Sequence, residues 1–241
     1  MQNSTALVTG ANKGIGKEVA RQLADLGHTV YIGARDAERG QRAVTEIGGD
    51  TRLLVLDVTD DASIADAAKQ VDTLDILVNN AGIMVDGASP VEADVDSFRR
   101  TYETNLFAVI AVTNAFLPAL RRSPRPRIVN ISSGTGSLAW STGTDTGSQI
   151  TFSPTGSGAA YRSSKTALNA VTLFYAQALA GDGFKVNALA PGLRATDLNE
   201  RAATSGADPA EGAAGAVRLA LLSDDGPTGA FLSWDGTVVP W

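Results

Sequence analysis

Two side chains that could move protons stand four residues apart in the second half of the chain, Tyr161 and Lys165. On a helix this spacing places both on one face, where they can reach one reaction centre. A tyrosine has an ordinary pKa of about 10, and a nearby ammonium favours its phenolate and so adjusts it for proton transfer. The pair therefore predicts acid–base chemistry with Tyr161 as the acid/base. A solvated helix face is the alternative, because the same spacing is common there.

Three glycines, Gly10, Gly14 and Gly16, lie between an apolar run and an alternating helical pattern in "TALVTGANKGIGKEVA". Small residues at a strand-to-helix turn let backbone N–H groups and the helix dipole face an anionic phosphate. The spacing is GxxxGxG rather than GxGxxG, and it lacks the GK[ST] ending of a P-loop. The cluster predicts a pyrophosphate-binding turn, with a tight turn that binds no ligand as the alternative.

Six short apolar runs alternate with segments long enough for helices, and a seventh run follows near the end of the sequence. This is the pattern of parallel strands joined by crossovers. It predicts an α/β fold, a doubly wound parallel sheet of about seven strands in a single domain over 1–241. Nearly continuous apolar strands such as 53–56 are expected where helices cover both sheet faces. The runs are "TALVTG", "HTVYIGAR", "TRLLVLDV", "LDILVNNAG", "PRIVNISS", "FKVNALAPG" and "GAFLSWDG".

The composition limits the classes of partner and ligand. The 241 residues carry 20 Lys and Arg against 26 Asp and Glu, a net charge of -6, so no broad basic surface is expected for nucleic acid. There is no cysteine and one histidine, His28, which excludes thiolate and histidine-cluster metal sites, and no metal is predicted. No basic leader with a long apolar segment is present and no run approaches bilayer length, so we expect a soluble, cytoplasmic protein without a membrane partner.

Several motifs follow one another along essentially the whole chain: "TGANKGIG", "NNAG" at 79–82, Asn105, "NISS" ending at Ser133, "YRSSK" at 161–165 and "PGLRAT" at 191–196. In this order and strand context the chain resembles the short-chain dehydrogenase/reductase family, which implies a Rossmann-type fold. "GARDAERG" and the ending "VVPW" resemble the carbonyl-reductase-like branch of that family. The resemblance implies reversible hydride transfer between a nicotinamide cofactor and a small-molecule ketone, aldehyde or alcohol.

The resemblance also implies four catalytic residues. Tyr161 would deliver the proton, with its phenolate further favoured by the positive ring of the oxidised cofactor, and Lys165 would bind the nicotinamide ribose hydroxyls. Ser133 would hydrogen-bond the substrate oxygen; it could instead cap its strand, with Ser132 as the other candidate hydroxyl. Asn105 would support a water-linked proton relay, although it could be an ordinary polar residue of its helix.

By the same resemblance, cofactor-binding residues follow the carboxyl ends of the predicted strands, where ligands sit in open α/β sheets. Asp57 and Val58 would contact the adenine, although Asp57 could instead cap the next turn. Asn79 would lie by the adenosine ribose and also stabilise the central sheet, and Thr196 would lie near the nicotinamide carboxamide. The segment 193–212 would form a mobile substrate lid. The remaining cofactor-binding candidates are Gly10, Asn12, Lys13, Gly14, Ile15, Gly16, Pro191 and Gly192.

The end of the second predicted strand, "VYIGARDAERG", bears on the choice between NADP(H) and NAD(H). NAD-selective relatives commonly place an acid at the strand end, whereas Ala34 stands there and Arg35 follows. Arg35 can bind a 2′-phosphate through its guanidinium, with Lys13 and Arg39 as further contacts. Asp36 would favour NAD(H) if it turned inward. We expect it to face outward, because neighbouring side chains point in different directions, and the pattern therefore predicts NADP(H).

Extra chain separates Ser133 from Tyr161, an insertion around 134–160 that is rich in Gly, Ser and Thr. Its apolar residues predict a pocket for a medium-sized, partly hydrophobic carbonyl substrate, with a disordered surface loop as the alternative. These residues are Leu138, Trp140, Ile150 and Phe152.

Two other functions compete: a non-catalytic NADP-binding regulator, and a nucleotide-sugar epimerase or dehydratase, for whose larger substrate domain the chain has little room. Monomer and homo-oligomer both stay open.

Overall fold

Seven parallel strands form one sheet within the residues that the computed structural model describes, 4–143 and 155–241. The strands are β1 (Thr5–Thr9), β2 (Thr29–Ala34), β3 (Thr51–Val55), β4 (Ile76–Asn79), β5 (Arg127–Ile131), β6 (Lys185–Ala190) and β7 (Phe231–Ser233). Their order in the sheet is β3-β2-β1-β4-β5-β6-β7, so the chain winds outward from the centre in both directions. The predicted doubly wound, single-domain α/β fold is confirmed.

Helices connect the strands and cover both faces of the sheet. They are α1 (Gly14–Asp25), α2 (Ala37–Ile47), α3 (Asp61–Lys69), α4 (Val95–Tyr102), α5 (Ala108–Leu120), α6 (Leu138–Ser141), α7 (Ala159–Ala178), α8 (Glu200–Ala203) and α9 (Pro209–Ala220). On one face, α1 and α9 bury residues such as Leu23 and Ala216 against Val8 of β1. On the other face, α3, α5 and α7 bury residues such as Phe116 against Leu7, which points the opposite way from Val8. The central strands are continuously apolar because both of their faces are buried.

Strand β3 differs from the prediction. Its apolar run at 53–56 predicts burial on both faces, but β3 is an edge strand of the sheet. Leu54 is buried, whereas the next residue, Val55, is 46% exposed. The reason is the strand order, since an apolar run does not by itself distinguish an edge strand from a central one.

One helical segment is long and apolar enough to cross a membrane by length and composition. It is the 26-residue stretch Val95–Leu120, which joins α4, a π-helical turn (Glu103–Phe107) and α5. The sequence-based expectation that no run approaches bilayer length is wrong for this segment, because α4 and α5 continue into each other through the π-helical turn. Half of its most apolar window is buried inside the protein.

The lone histidine, His28, is buried beside the start of β1. Its Nδ1 accepts a hydrogen bond from the Ser4 backbone N–H at 3.2 Å. Burial lowers the pKa of His28 below its ordinary 6.5, and the nearby Asp75 carboxylate opposes this shift only in part. The folded state therefore resists protonation of His28 more than the unfolded state does. The resulting stability is present above about pH 6.5 and is lost as the pH falls below that value.

We predict that the free energy of unfolding of the wild type falls between about pH 7.5 and about pH 5.5 because of His28. His28→Asn offers Ser4 an acceptor that does not titrate, so its free energy of unfolding should change less over this range. Urea denaturation of both proteins at the two pH values measures the difference. The same pH dependence in both proteins would show that His28 does not cause it.

Candidate active site

Lys165 lies inside the protein and not on a solvated helix face. It is 4% exposed, and its Nζ donates to the Ile131 carbonyl oxygen at 2.8 Å, at the carboxyl end of β5. The same Nζ lies 5.7 Å from the centroid of the Tyr161 ring. Burial lowers the pKa of Lys165 from 10.5 to about 8. The buried ammonium and the phenol thus share one face of α7, at the edge of the sheet where its strands end.

Tyr161 is partly buried and holds its proton more tightly than an exposed tyrosine. Burial raises its pKa above the ordinary 10, and a hydrogen bond with Ser133 offsets part of this rise. The expected shift toward the phenolate is therefore not present in the protein alone, because desolvation outweighs the hydrogen bond with Ser133. The part of that expectation that depends on an oxidised cofactor stays a prediction. Without the cofactor, the phenol is a proton donor.

The two candidate serines at the end of β5 have different surroundings. Ser132 is 2% exposed, and its Oγ donates to Asn169 Oδ1 at 2.6 Å, on the inner side of α7. Ser133 is partly exposed, shares a 2.8 Å hydrogen bond with the Thr135 hydroxyl and hydrogen-bonds Tyr161. Its Oγ also accepts from the Thr135 backbone N–H at 3.2 Å, so the expected capping role coexists with the contact to Tyr161. Ser133 is therefore the hydroxyl available to a substrate.

Asn105 lies in the π-helical turn between α4 and α5 and is fully buried. Its Oδ1 accepts from the Ile83 N–H at 2.9 Å, and its Nδ2 donates to the Ile83 carbonyl oxygen at 2.9 Å and to Ser164 Oγ at 3.0 Å. The amide thus ties the loop after β4 to α7. Both Nδ2 hydrogens are thus occupied, whereas Oδ1 can accept one more hydrogen bond, and the water-linked relay stays a prediction. The other asparagine of the segment, Asn114, instead accepts from Tyr175 on the protein surface.

The glycine turn after β1 is compact, and it leaves the start of α1 open. Gly10 has a φ of +63°, which side chains rarely adopt, and a Cβ on Gly16 would lie 2.3 Å from Asn80 Nδ2. The N-cap residue of α1 is Lys13, whose side chain accepts no capping hydrogen bond. By contrast, aspartate side chains cap the first turns of α2, α3, α4 and α9. The free N–H groups of this 12-residue helix suit the pyrophosphate of a dinucleotide.

The remaining candidates of the glycine turn have different environments. Asn12 is partly buried in the turn, and Ile15 packs against the core that surrounds β1. Lys13 is 57% exposed and forms an ion pair with Asp197, which is 65% exposed. The predicted contact of Lys13 with a 2′-phosphate would have to replace this pair. Exposed ion pairs contribute little stability, so replacing this pair by a contact with a phosphate costs little free energy.

The segment after β6 lies over the glycine turn. A Cβ on Gly14 would lie 3.3 Å from Thr196 Cγ2, so the two loops are in close contact. The Ala195 N–H donates to the Ala207 carbonyl oxygen at 2.8 Å, which joins the two ends of the loop between them. The predicted lid, 193–212, contains this loop and the first turn of α9, which begins at Pro209. Movement of the loop 195–207 stays a prediction.

The end of β2 presents Arg35 to solvent. Asp36 caps α2, where its Oδ1 accepts from the Arg39 N–H at 3.0 Å, and this backbone bond lowers the pKa of Asp36. The carboxylate also pairs with the Arg39 guanidinium at 3.4 Å. Asp36 thus faces its own helix, as expected. Among the described residues no carboxylate forms an ion pair with Arg35, whereas the predicted contact of Arg39 with a phosphate competes with Asp36.

Asp57, after β3, caps the following turn. Its Oδ1 accepts from the Thr59 N–H at 3.0 Å and from the Thr59 hydroxyl at 2.8 Å. These bonds, the backbone one foremost, lower the pKa of Asp57, and the charge of Arg35 adds a smaller effect. Val58 packs against the core on the α3 side of the sheet. The capping alternative is therefore present, and the adenine contact of both residues stays a prediction.

Asn79 stabilises the central sheet. It is 3% exposed, and its Nδ2 donates to Asn130 Oδ1 at 2.9 Å and to Thr113 Oγ1 at 3.1 Å. Both amide hydrogens are occupied, so this side chain has no donor left for the adenosine ribose. The sheet-stabilising half of the expectation is observed, and the ribose contact stays a prediction.

Comparison with known proteins identifies the family. Residues 4–206 match the family model described as short chain dehydrogenase. The chain belongs to the short-chain dehydrogenase family. It is therefore an oxidoreductase with the Rossmann-type fold, and the predicted family is confirmed.

This short-chain dehydrogenase has relatives of matching length. It is 34% identical to salutaridine reductase of Papaver bracteatum, over 94% of its own chain and 93% of the relative. It is 35% identical to (+)-neomenthol dehydrogenase of Arabidopsis thaliana, over 95% of each chain. The solved structure of NADPH-bound carbonyl reductase from chicken fatty liver is similar with a TM-score of 0.83 and 29% identity, over 100% of both chains. The similarity to a carbonyl reductase agrees with the predicted branch.

The insertion of this dehydrogenase begins with a 3₁₀ turn and α6. Leu138 is 59% exposed at its start. Trp140 packs against the small core behind β6 and β7, because the last residues, 239–241, fold over α6. Trp140 is only partly buried there, and its place in a substrate pocket stays a prediction. Ile150 and Phe152 lie outside the described residues.

Two residues that the sequence analysis does not single out hold the catalytic candidates in place. Ser164 accepts from Asn105 and donates to the Tyr161 carbonyl oxygen at 2.7 Å. Asn169 accepts from Ser132, so it joins the end of β5 to the face of α7 that carries Lys165. The spacing of four residues from Tyr161 to Lys165 and on to Asn169 is visible in the sequence and could have identified Asn169.

Proposed function

We propose that this short-chain dehydrogenase is a cytoplasmic, NADP(H)-dependent enzyme that reduces a ketone or aldehyde to its alcohol, reversibly. The observation that carries the proposal is the position of Tyr161, which is hydrogen-bonded to Ser133 and whose ring lies 5.7 Å from Nζ of the buried Lys165. A proton donor, a second hydrogen-bond donor and a cation thus converge where β5 ends. Open α/β sheets bind their ligands at this edge.

The residues around the site fit a nicotinamide dinucleotide. The uncapped start of α1 suits the pyrophosphate, and Arg35 suits a 2′-phosphate at the end of β2. Thr196, against the glycine turn, would hold the nicotinamide end. NADPH supplies the hydride when it is bound, because no side chain of the protein can provide one.

The side chains of the protein would then bind the substrate oxygen and donate a proton to it. Ser133 and Tyr161 hydrogen-bond the carbonyl oxygen and so orient and polarise the carbonyl group. As negative charge develops on that oxygen, the Tyr161 hydroxyl donates its proton to it. Lys165, whose pKa is about 8, stabilises the phenolate that remains and can exchange a proton near neutral pH. In the alcohol-oxidising direction the same groups act in reverse.

Support for NADP(H) comes from the arrangement at the end of β2. Arg35 is exposed, and the carboxylate that would compete for a ribose hydroxyl, Asp36, is engaged in capping α2. A free guanidinium recognises phosphate through paired hydrogen bonds. The structural neighbour from chicken fatty liver is described with NADPH bound, which agrees with this preference.

An apolar substrate is supported by exposed side chains close in sequence to the catalytic candidates. Leu138 is 59% exposed in the segment after Ser133, and Leu193 is 47% exposed in the turn after β6. Exposed apolar residues beside a polar site are typical of a pocket that receives a partly hydrophobic ligand. Relatives named as a reductase and as a dehydrogenase support a carbonyl or alcohol as the reacting group.

The two serines should respond differently to replacement. We predict that Ser133→Ala lowers kcat about a hundredfold, because it removes one hydrogen bond to the developing oxyanion. Ser132→Ala should mainly lower the melting temperature, because it removes the buried bond to Asn169. Steady-state kinetics and thermal unfolding of both variants measure this. If Ser132→Ala lost as much kcat as Ser133→Ala at an unchanged melting temperature, the assignment would be reversed.

The proposed function is tested by incubating the protein with NADPH and a panel of aliphatic, cyclic and aromatic ketones and aldehydes, with NADH in parallel. We expect oxidation of NADPH together with formation of the alcohol. NADPH binding without turnover on any member of the panel would indicate a regulator, and conversion of a nucleotide sugar without net use of cofactor would indicate an epimerase. Either result contradicts the proposal.

A further inference from the structure

Arg194, in the turn after β6, is only 6% exposed although it belongs to a loop. Its Nε donates to the Pro191 carbonyl oxygen at 2.8 Å, and its Nη1 donates to Glu211 Oε2 of α9 at 2.6 Å. Its guanidinium carbon lies 4.3 Å from the centroid of the Trp234 ring, just after β7. One side chain thus connects the turn after β6 with α9 and with the end of β7.

The residues around Arg194 leave room for its guanidinium to stack on the Trp234 ring. A Cβ on Gly192 would lie 3.1 Å from Trp234 Cδ1 and 3.2 Å from Arg194 Nη2, so glycine makes the close approach possible. The carbonyl oxygen of Trp234 accepts from Arg218 Nη2 at 2.5 Å, which fixes the residue on which the guanidinium stacks. A flat guanidinium with paired donors suits this place, whereas a lysine ammonium would not.

The anchored turn leads directly to the part of the loop that meets the glycine turn. Ala195 is hydrogen-bonded to Ala207 at the base of the loop 195–207, and the next residue, Thr196, packs on Gly14. Arg194 is thus anchored two residues before Thr196, the residue that contacts the start of α1. Glu211, its partner, belongs to a helix that packs against α1 and the sheet.

We infer that Arg194 is a positioning residue for the nicotinamide half of the cofactor. The inference rests on the proposed function. In the sheet, β6 is the neighbour of β5, whose end carries Ser133, whereas β2 and Arg35 lie on the other side of β1. A dinucleotide that spans the crevice therefore has its reacting half near the turn of Arg194 and its adenosine 2′-phosphate far from it.

The test compares a whole cofactor with its adenosine half. Binding of NADPH and of adenosine 2′,5′-bisphosphate is measured by titration calorimetry for the wild type, Arg194→Met and Arg194→Lys. Arg194→Met should weaken NADPH binding about tenfold or more and leave the affinity for the bisphosphate unchanged, because only the nicotinamide half loses its support. Arg194→Lys keeps a cation for Glu211 but loses the stacked plane and the Nε bond, so it should show a smaller loss, again for NADPH alone.

A second buried arginine provides the matched control. Arg127, at the amino end of β5, donates to the Leu222 carbonyl oxygen at 3.0 Å and to Asp224 at 2.7 Å. Arg127→Met should lower the melting temperature and leave both affinities unchanged. If Arg194→Met does not fold, the affinities of Arg194→Lys for NADPH and for the bisphosphate test the inference.

The inference is overturned by a folded Arg194 variant that binds NADPH as the wild type does. It is also overturned if the variant weakens binding of both ligands equally. A wild type that binds neither ligand would instead contradict the proposed function.

Discussion

Tyr161→Phe should lower kcat about a thousandfold while the affinity for NADPH stays unchanged. The substitution keeps the ring beside Lys165 and removes only the hydroxyl that carries the proton. A tyrosine with the ordinary pKa of about 10 is protonated at neutral pH, and burial raises the pKa of Tyr161 further, so the phenol can donate its proton. Steady-state kinetics on a ketone that the wild type reduces, together with NADPH titration, measure the two quantities.

Tyr175→Phe is the matched control, because Tyr175 lies on the same helix and its hydroxyl donates to Asn114 outside the site. It should retain wild-type kcat. A Tyr161→Phe variant that keeps most of the wild-type rate would show that another group delivers the proton. An equal loss in both variants would point to damage to α7 and not to lost acid catalysis.

Arg35→Gln should lower the ratio of kcat/KM with NADPH to kcat/KM with NADH about 10- to 100-fold. The change removes a charge-assisted, paired contact to the 2′-phosphate, which NADH lacks. The NADH value itself should hardly change. Arg35 is a better test position than Ala34, because Ala34 is 3% exposed and a longer acidic side chain there would have to be accommodated within the core.

Arg42→Gln controls for the loss of a positive charge near the end of β2, because Arg42 is an exposed residue of α2. It should leave the cofactor preference unchanged. A wild type that prefers NADH, or an Arg35→Gln variant with the wild-type ratio, would show that Arg35 does not bind the 2′-phosphate.

The Lys13–Asp197 pair predicts in addition that Lys13 contributes less than Arg35 to the preference for NADPH, because Lys13 must first separate from Asp197.

Most of the fold is predictable from the sequence because burial on both sheet faces leaves a strong pattern. The apolar runs around Val8 and Leu77 become central strands, as their composition indicates. The position of β3 at the edge is not predictable in this way, because Val55 is as apolar as a buried residue and only the order of strands exposes it. The π-helical turn that joins α4 to α5 is also not predictable, because it holds Asn105, a buried amide whose partner Ile83 is brought near only by the folded chain.

The candidate site is predictable in its residue types and less so in its electrostatics. The shared face of Tyr161 and Lys165 follows from their spacing, but the direction of the Tyr161 pKa shift depends on burial, which spacing does not report. The resemblance already favours Ser133, but the reason that Ser132 is not available, its buried bond to Asn169, is given only by the folded chain. The role of Arg194 is not predictable either, because its partner Trp234 lies 40 residues away in the sequence.

The central claim is that the protein transfers a hydride from NADPH to a carbonyl carbon, with Tyr161 supplying the proton. The most direct measurement uses NADPH deuterated at the transferable position of the nicotinamide, incubated with a ketone from the panel, with the product analysed by mass spectrometry. The account predicts one deuterium on the carbinol carbon for each NADPH oxidised, and no labelled alcohol above background from Tyr161→Phe. An alcohol without the label, or product formed while NADPH is not consumed, would contradict it.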